Sequence, residues 1–287
     1  MKISRVGNYK TGFKYYKNNV EITNSDEIDK IKLLKIPPAY DNVTIINSKK
    51  VIAYGYDSKN RKQVLYNPKF SAKQNIIKYK KISNSINFFI KLKKKIAKDL
   101  SNTDEKIKAI AVIITLIFTC GFRIGNKKYE KENNSVGLTT LKYKHLKFEN
   151  NKILIDFIGK KGVRNLAYCD NRKIIEYLNN KNKIASSLDD YIFSYGTNKI
   201  ITSNDVNEYL KIIGNNTIIT TKDLRTWNAN MLFISYFKKI RISDNTNIEK
   251  DIKKAIEMVA SKLHNSYSIC KKSYIDPEII ANIAKYK

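Results

Sequence analysis

From Ala109 to Cys120 the chain carries no charged residue, although 55 lysines and arginines against 26 aspartates and glutamates leave the whole protein at a formal net charge of +29. A stretch this apolar has to be covered. It is shorter than the roughly 18 residues that span a bilayer, so it reads as a buried core helix rather than a membrane segment. The pattern from Asp104 to Cys120 is apolar nearly all round, which predicts a helix packed on every side and therefore a substantial core built around it. With 287 residues, 42% of them apolar, the chain has the material for that core. Four prolines and ten glycines exclude collagen-like and proline-rich fibrous classes.

The period of the pattern differs on the two sides of residue 75. Before it, Val43–Ile46 and Val51–Tyr56 are short β-branched or aromatic runs broken by Asn, Ser and Lys, and Tyr56–Tyr66 reads as a turn and strand rich in basic and aromatic residues. From about Ile76, Ile82, Ile86, Phe89, Ile90 and Leu100 fall on one helical face. The expected organisation is α+β: a β-rich domain over residues 1–75 and a larger, mainly helical domain over 76–287. Inside the second, Lys152–Ile158 and Val163–Tyr168 read as strands joined by Gly159-Lys-Lys-Gly162, a hairpin. Helices are predicted around Lys173–Asn179, Asn204–Ile213 and Lys222–Phe237. Ile248, Ile252, Ala255, Ile256, Val259 and Leu263 give an amphipathic stripe. Asp276-Pro277 has the cap and first-turn residues of a last helix.

A basic excess of about one charge per ten residues points to a polyanion partner. Cys120, Cys169 and Cys270 are odd in number and form no C-x-x-C pair, which argues against a disulfide framework and a zinc site and fits a reducing compartment. Two histidines, His145 and His264, exclude a His-rich metal site. The amino-terminal segment has no apolar stretch of the kind a secretory signal needs. An intracellular protein acting on nucleic acid is the expectation.

Several positions could carry chemistry, and each also has an ordinary reading. Arg123, after the most apolar helix, needs an anion or a route to water; alone it reads as a snorkelling or salt-bridged side chain. Lys160 and Lys161 are equivalent turn lysines on spacing, and either could be delivered to a phosphate or a leaving oxygen by a loop whose flanking glycines allow close approach. Lys222 and Arg225 lie three apart on one helical face, either as a solvated basic surface or as a phosphate clamp suited to the planar guanidinium. Tyr274 follows two lysines; among 19 tyrosines packing is the ordinary role, but nearby cations favour a nucleophilic phenolate. No nucleotide-binding loop or metalloprotease motif occurs.

Taken in order, these segments resemble the type IB DNA topoisomerases of the small poxvirus and bacterial kind, from about Ile36 to Pro277. Ile36-Pro-Pro-Ala39 and Gly55–Gln63 resemble the family's amino-terminal DNA clamp. The most specific match is Phe122–Asn126, Tyr129, Lys131–Asn133 and Gly137–Leu141, ending at Lys144-His145. Gly159–Gly162, Lys222–Trp227 and Cys270–Pro277 complete it. The resemblance implies Tyr274 as nucleophile, Arg123 and Arg225 as phosphate clamp, and Lys160 as general acid. It implies a fifth residue nine positions before the tyrosine, which is Asn265, with His264 in the usual glycine position as its rival. Arg61, Lys62, Gln63, Tyr66, Lys128, Tyr129 and Lys222 are implied DNA contacts, and Val64 stands where the family commonly has an aromatic. The implied enzyme relaxes supercoiled duplex DNA through a 3′-phosphotyrosyl ester. It works as a monomer closed like a C-shaped clamp around the duplex, without ATP, metal, cofactor or membrane, in the cytoplasm or a virion. A tyrosine recombinase shares this core but typically carries His at the position of Lys222. A non-catalytic basic DNA-binding protein is the reading from a different class.

Overall fold

The computed structural model describes residues 2–197, 199–215, 218–243 and 247–285. The chain divides into two compact units, Met1–Lys81 and Ile82–Lys287. The first is built on β1 (Ile3–Asn8), β2 (Gly12–Lys17), β3 (Val20–Glu21), β4 (Asp41–Ile45), β5 (Val51–Tyr56) and β6 (Lys62–Tyr66), an antiparallel sheet in the order β3-β2-β1-β4-β5-β6. A helix not anticipated from the sequence, α1 (Ser25–Lys32), interrupts it; Asn24 caps it by accepting from the Glu27 N–H. Tyr15, Ile22, Ile31, Val43, Ile45, Ile52 and Ala53 form the core of this unit. Arg5 is buried among them, and burial pushes its pKa down. Its guanidinium is satisfied by the carbonyls of Pro37 at 3.0 Å and Tyr40 at 2.6 Å and stacks over Phe13. The Ile36–Ala39 segment is therefore pinned from beneath.

A helix, α2 (Pro68–Ser83), runs across the division between the units. The continuous face expected over Ile82–Leu100 is in fact two helices: the chain breaks at Ser85, and α3 (Ile86–Asp99) starts afresh. After the break the buried face is Phe88, Phe89, Leu92 and Ile96, while Ile86 and Ile90 are exposed. The reset of phase at the break is why an uninterrupted period placed those two residues inward.

The apolar run is α4 (Glu105–Cys120), capped by Asp104, whose carboxylate accepts from the N–H groups of Lys106 and Ile107. Ala109–Ile114, Leu116 and Ile117 are at most 3% exposed, so the helix is covered all round as its composition requires. Each such Ile or Leu contributes roughly 1.5–3 kcal/mol of transfer free energy, and Ile113→Ala would cost about 2–5 kcal/mol. No helix among the described residues is long and apolar enough to cross a membrane.

Beyond α4 come α5 (Lys127–Asn133) and a three-stranded antiparallel sheet of β7 (Leu146–Glu149), β8 (Lys152–Ile158) and β9 (Arg164–Cys169). The expected hairpin is its β8–β9 half. Then follow α6 (Arg172–Lys183), a short ribbon of β10 (Ser194–Tyr195) and β11 (Lys199–Ile200), α7 (Ser203–Ile213), α8 (Thr221–Ser243), α9 (Ile248–Lys262), α10 (Tyr267–Ser273) and α11 (Pro277–Lys285). Trp227 of α8 stacks on Phe89 of α3, with centroids 4.4 Å apart, and Asn228 donates to the Phe118 carbonyl of α4. A second core of Ala229, Phe233, Ala255, Ile256, Val259, Leu263, Cys270 and Ile275 joins α8 to α9, α10 and the start of α11.

Candidate active site

The tyrosine corner is assembled from helix ends. At the end of α4, Gly121 is left-handed at φ 68°, and a Cβ placed on it would lie 2.2 Å from the carbonyl oxygen of Lys262, the last residue of α9. Only glycine permits that approach. The next residues, Phe122 and Arg123, are thereby laid against the α9 terminus. On the other side, Gly125 and Gly137 touch backbone to backbone, so that a Cβ on Gly137 would sit 2.4 Å from the Gly125 Cα. The Leu138 N–H donates to the Arg123 carbonyl at 3.0 Å and the Val136 N–H to Ile158 at 3.0 Å, which ties the Arg123 loop to the end of β8. The spaced glycines of this block are there for close packing of main chain.

Arg225 lies in the second turn of α8. Thr220 opens that helix, with the Asp223 carboxylate accepting from both its N–H and its hydroxyl. Lys222 is exposed and Arg225 is 4% exposed, so the two do not share a solvated face. Arg225 Nη2 donates to the Leu263 carbonyl, and Nε donates to the Tyr274 hydroxyl at 3.3 Å. Burial depresses the Arg225 pKa to about 10, so the group stays charged near neutrality. Arg123 Nη2 donates to Asn265 Oδ1 at 2.6 Å. A guanidinium can only donate, so this bond settles which amide atom faces it and turns Asn265 Nδ2 the other way. Four side-chain polar atoms among the described residues are buried with no hydrogen-bond partner: the Tyr177 hydroxyl and Trp227 Nε1, and, at this corner, Asn265 Nδ2 and Arg225 Nη1. Unpaired buried donors are rare and costly, and here two of them stand beside one tyrosine.

Burial pushes the Tyr274 phenol up. The charges of Arg225 and Arg123 and their hydrogen bonds outweigh it, and the net shift is below the ordinary tyrosine range. The main chain of Tyr274 is held by Asn230, a residue that the sequence patterns passed over. Asn230 Nδ2 donates to the Tyr274 carbonyl at 2.9 Å, and its Oδ1 accepts from the Asp276 N–H at 2.8 Å. One helix thus grips the tyrosine at both its hydroxyl and its backbone. The available signal was a pair of asparagines, Asn228 and Asn230, set among the apolar residues Trp227, Ala229, Met231, Leu232 and Phe233. Tyr267, the alternative tyrosine, lies in the first turn of α10, with the Lys271 ammonium 5.9 Å from its ring centroid.

His264 points elsewhere than the tyrosine: its Nε2 is 3.1 Å from the Cys120 carbonyl, and its ring stacks on Phe122. Lys160 and Lys161 are exposed at the hairpin tip, where Lys161 (φ 64°) and Gly162 (φ 76°) turn the chain. The base of this loop is stitched by Asn165, buried beside Gly159, whose Nδ2 donates to the Val163 carbonyl. The structure therefore joins Arg123, Arg225, Asn265 and Tyr274 by contact and leaves Lys160 on a separate loop. In the first unit, Arg61 Nη2 pairs with Asp57 at 2.7 Å, and Gln63 Nε2 donates to the same carboxylate at 3.0 Å. The hydrogen bond from Arg61 holds Asp57 at about 2. Lys62 covers the Tyr54 ring, and Tyr66 stacks on Phe70. Lys128 pairs weakly with Glu132, and Tyr129 is 59% exposed.

Residues 67–286 match the family model of the eukaryotic DNA topoisomerase I catalytic core. Over 281 residues the chain is 30% identical to DNA topoisomerase 1B of Acanthamoeba polyphaga mimivirus, covering 91% of this chain and 81% of that one. It is 28% identical over 291 residues to DNA topoisomerase 1B of Vaccinia virus (strain Copenhagen), covering 95% and 88% respectively. A solved structure of XerH site-specific recombinase bound to palindromic difH substrate is 16% identical at a TM-score of 0.45, over 68% of this chain and 50% of that one, a likeness too weak to bear on fold or chemistry. The matches to the two viral enzymes run far beyond the tyrosine corner, through more than nine-tenths of this chain, and on them the chain belongs to the type IB DNA topoisomerase family.

Proposed function

We propose that this enzyme relaxes duplex DNA with Tyr274 as its nucleophile. Tyr274, its phenol proton given up to water, attacks a backbone phosphorus as the phenolate that Arg225 and Arg123 favour and forms a 3′-phosphotyrosyl ester. The bond from phosphorus to the 5′ oxygen breaks, and Lys160 donates the proton that lets this oxygen leave as a hydroxyl. Arg123, Arg225 and Asn265 hold the non-bridging oxygens as charge accumulates on them, the preorganised electrostatic contribution that usually dominates such steps. The broken strand rotates, and attack by the 5′-hydroxyl on the ester restores the strand. Bond energy is kept in the ester throughout, so the return step needs no nucleotide.

One observation carries this reading: two buried donors, Arg225 Nη1 and Asn265 Nδ2, have no partner among the described residues and belong to side chains that bond the Tyr274 hydroxyl or its arginine neighbour. A phosphate supplies the acceptors they lack. Of the two rivals for the fifth position, Asn265 takes the role, because the polar edge of His264 is spent on a main-chain carbonyl. Residues 1–75 serve as the amino-terminal half of a clamp around the duplex, with Arg61, Lys62, Gln63 and Tyr66 among its DNA contacts and Lys128, Tyr129 and Lys222 contributed by the catalytic half. The enzyme acts as a monomer, where its DNA is, in cytoplasm or virion. The test is a plasmid that lacks any recombination site. Relaxation without added nucleotide, together with a protein–DNA adduct on a denaturing gel, is expected. Binding without an adduct would leave only a basic DNA-binding protein.

A further inference from the structure

We infer that His264 is a positioning residue for DNA cleavage: by gripping the Cys120 carbonyl and stacking on Phe122, it sets where Arg123 meets Asn265. The inference rests on the assignment of Tyr274, Arg123 and Asn265 just made and adds a residue that touches neither the phosphate nor the nucleophile.

The corner that carries Asn265 is a helix terminus with a defined hydrogen-bond pattern. The Asn265 N–H donates to the Ala260 carbonyl at 2.9 Å and the His264 N–H to Ser261 at 3.0 Å. That pair of bonds is a Schellman motif, which places its penultimate residue in the left-handed region. His264 is that residue, at φ 51°. Glycine takes this conformation without steric cost, and a residue bearing a Cβ takes it against strain. Strain kept at such a place suggests that the side chain does something glycine would not.

What it does is visible in the pairing of neighbours. Phe122 precedes Arg123, and His264 precedes Asn265. The first pair stacks with ring centroids 5.3 Å apart at 20°, and the second is bonded at 2.6 Å. Two successive contacts therefore lace the loop after α4 to the loop after α9. His264 Nε2 adds a third by donating to the carbonyl of Cys120, at the end of α4 itself. Because the partner is a carbonyl, the proton sits on Nε2. Burial, with Arg225, Arg123 and Lys262 nearby, pushes the imidazole pKa down and keeps the ring neutral. Leu138 and Gly137 hold the far side of the Arg123 loop, but toward α9 the loss of the ring would leave the Gly121 contact and the Arg123–Asn265 bond to hold the geometry that this bond now merely completes.

The experiment compares wild type with His264→Gly and His264→Asn, two replacements that tolerate the left-handed backbone and reach neither Phe122 nor the Cys120 carbonyl. Melting temperature, duplex affinity and the single-turnover rate of adduct formation are measured for each, alone and combined with Arg123→Ala. Both variants are expected to melt no lower than wild type by more than a few degrees and to bind duplex as tightly, yet to cleave roughly tenfold more slowly, short of the roughly 10²-fold that a full 1 Å misplacement of a catalytic group can cost. In the Arg123→Ala background the further loss should shrink to within about twofold, since His264 acts through that arginine. A folded His264→Gly or His264→Asn that cleaves at the wild-type rate overturns the inference. An equal tenfold loss with and without Arg123 overturns it too, because it would mark an independent or merely structural role. A wild-type enzyme that forms no adduct would instead bring down the assignment of Tyr274 beneath it.

Discussion

Arg225 and Lys160 are both cations expected to act on one phosphate, and the fold treats them in opposite ways. Arg225 is 4% exposed and held by the Leu263 carbonyl and the Tyr274 hydroxyl. Lys160 is exposed at the tip of a hairpin whose strands pair from Ile153 with Cys169 to Ile158 with Arg164, and a Cβ on Gly162 in that turn would meet nothing within 4 Å. The difference follows from the two jobs. A group that stabilises charge is most effective when it is fixed before the charge appears and shielded from water. A proton donor must reach an oxygen that moves as the bond breaks and take the proton back as the strand is rejoined. On the proposed mechanism, the corner is fixed in advance and the hairpin brings its lysine to the phosphate.

Removing the nucleophile breaks both halves at once and should have the largest effect. Tyr274→Phe keeps the ring and its packing but removes the oxygen, so supercoil relaxation and the covalent adduct should vanish while duplex binding survives. An adduct at the wild-type level on a denaturing gel would refute the mechanism. Next, Lys160→Ala should slow cleavage about 10²–10⁴-fold, the usual contribution of a general acid, and Lys161→Ala far less. A substrate with sulfur at the 5′ bridging position needs no proton on its leaving group and should restore the Lys160 variant. Sensitivity at Lys161 instead would shift the register of the hairpin by one.

Within the fixed corner, Asn265→Ala should cost roughly 10²–10³-fold in cleavage, as for the loss of one donor in comparable anion sites. That exceeds the effect of any His264 replacement; the reverse order in single-turnover rates would exchange their roles. The pH dependence sharpens the comparison further. Two arginines hold the Tyr274 pKa below its ordinary value against the opposing effect of burial. Phenolate therefore accumulates as pH rises, and on the 5′-sulfur substrate, where Lys160 is not needed, the rate should climb with pH, with the midpoint of that limb below the ordinary tyrosine value of about 10. In Arg123→Ala that limb should move to higher pH, and an unmoved limb would separate the arginine from the phenol. The smallest expected effect is in the first unit. Arg61 must exchange Asp57 for a phosphate, so Arg61→Ala should flatten the salt dependence of binding less than Lys62→Ala, whose full effect is a slope change of about 0.9. Equal changes would show that the Asp57 pair does not restrain Arg61.

The sequence by itself determined the kinds of element and the order in which the chemistry occurs along the chain. The run from Ala109 to Cys120 reads as a covered helix because, apart from Thr115 and Thr119, nothing in it can face water; Thr119 is the one that does. The Gly159–Gly162 hairpin and the Asp276-Pro277 start of α11 were legible because a turn or a cap is decided by a few adjacent residues. The proposed catalytic positions come from family resemblance, residue by residue, and not from spacing, which left Lys160 and Lys161 equivalent and made Lys222 and Arg225 look alike. Only the tertiary structure separated Lys222 from Arg225, by burying one and not the other. It broke the expected Ile82–Leu100 face at Ser85, brought in Asn230, and turned His264 toward Cys120 and Asn265 toward Arg123. Arg123 and Asn265 are 142 residues apart in the chain. No local propensity links them, since a contact of that kind exists only after the ends of α4 and α9 have packed against each other with main-chain atoms in van der Waals range.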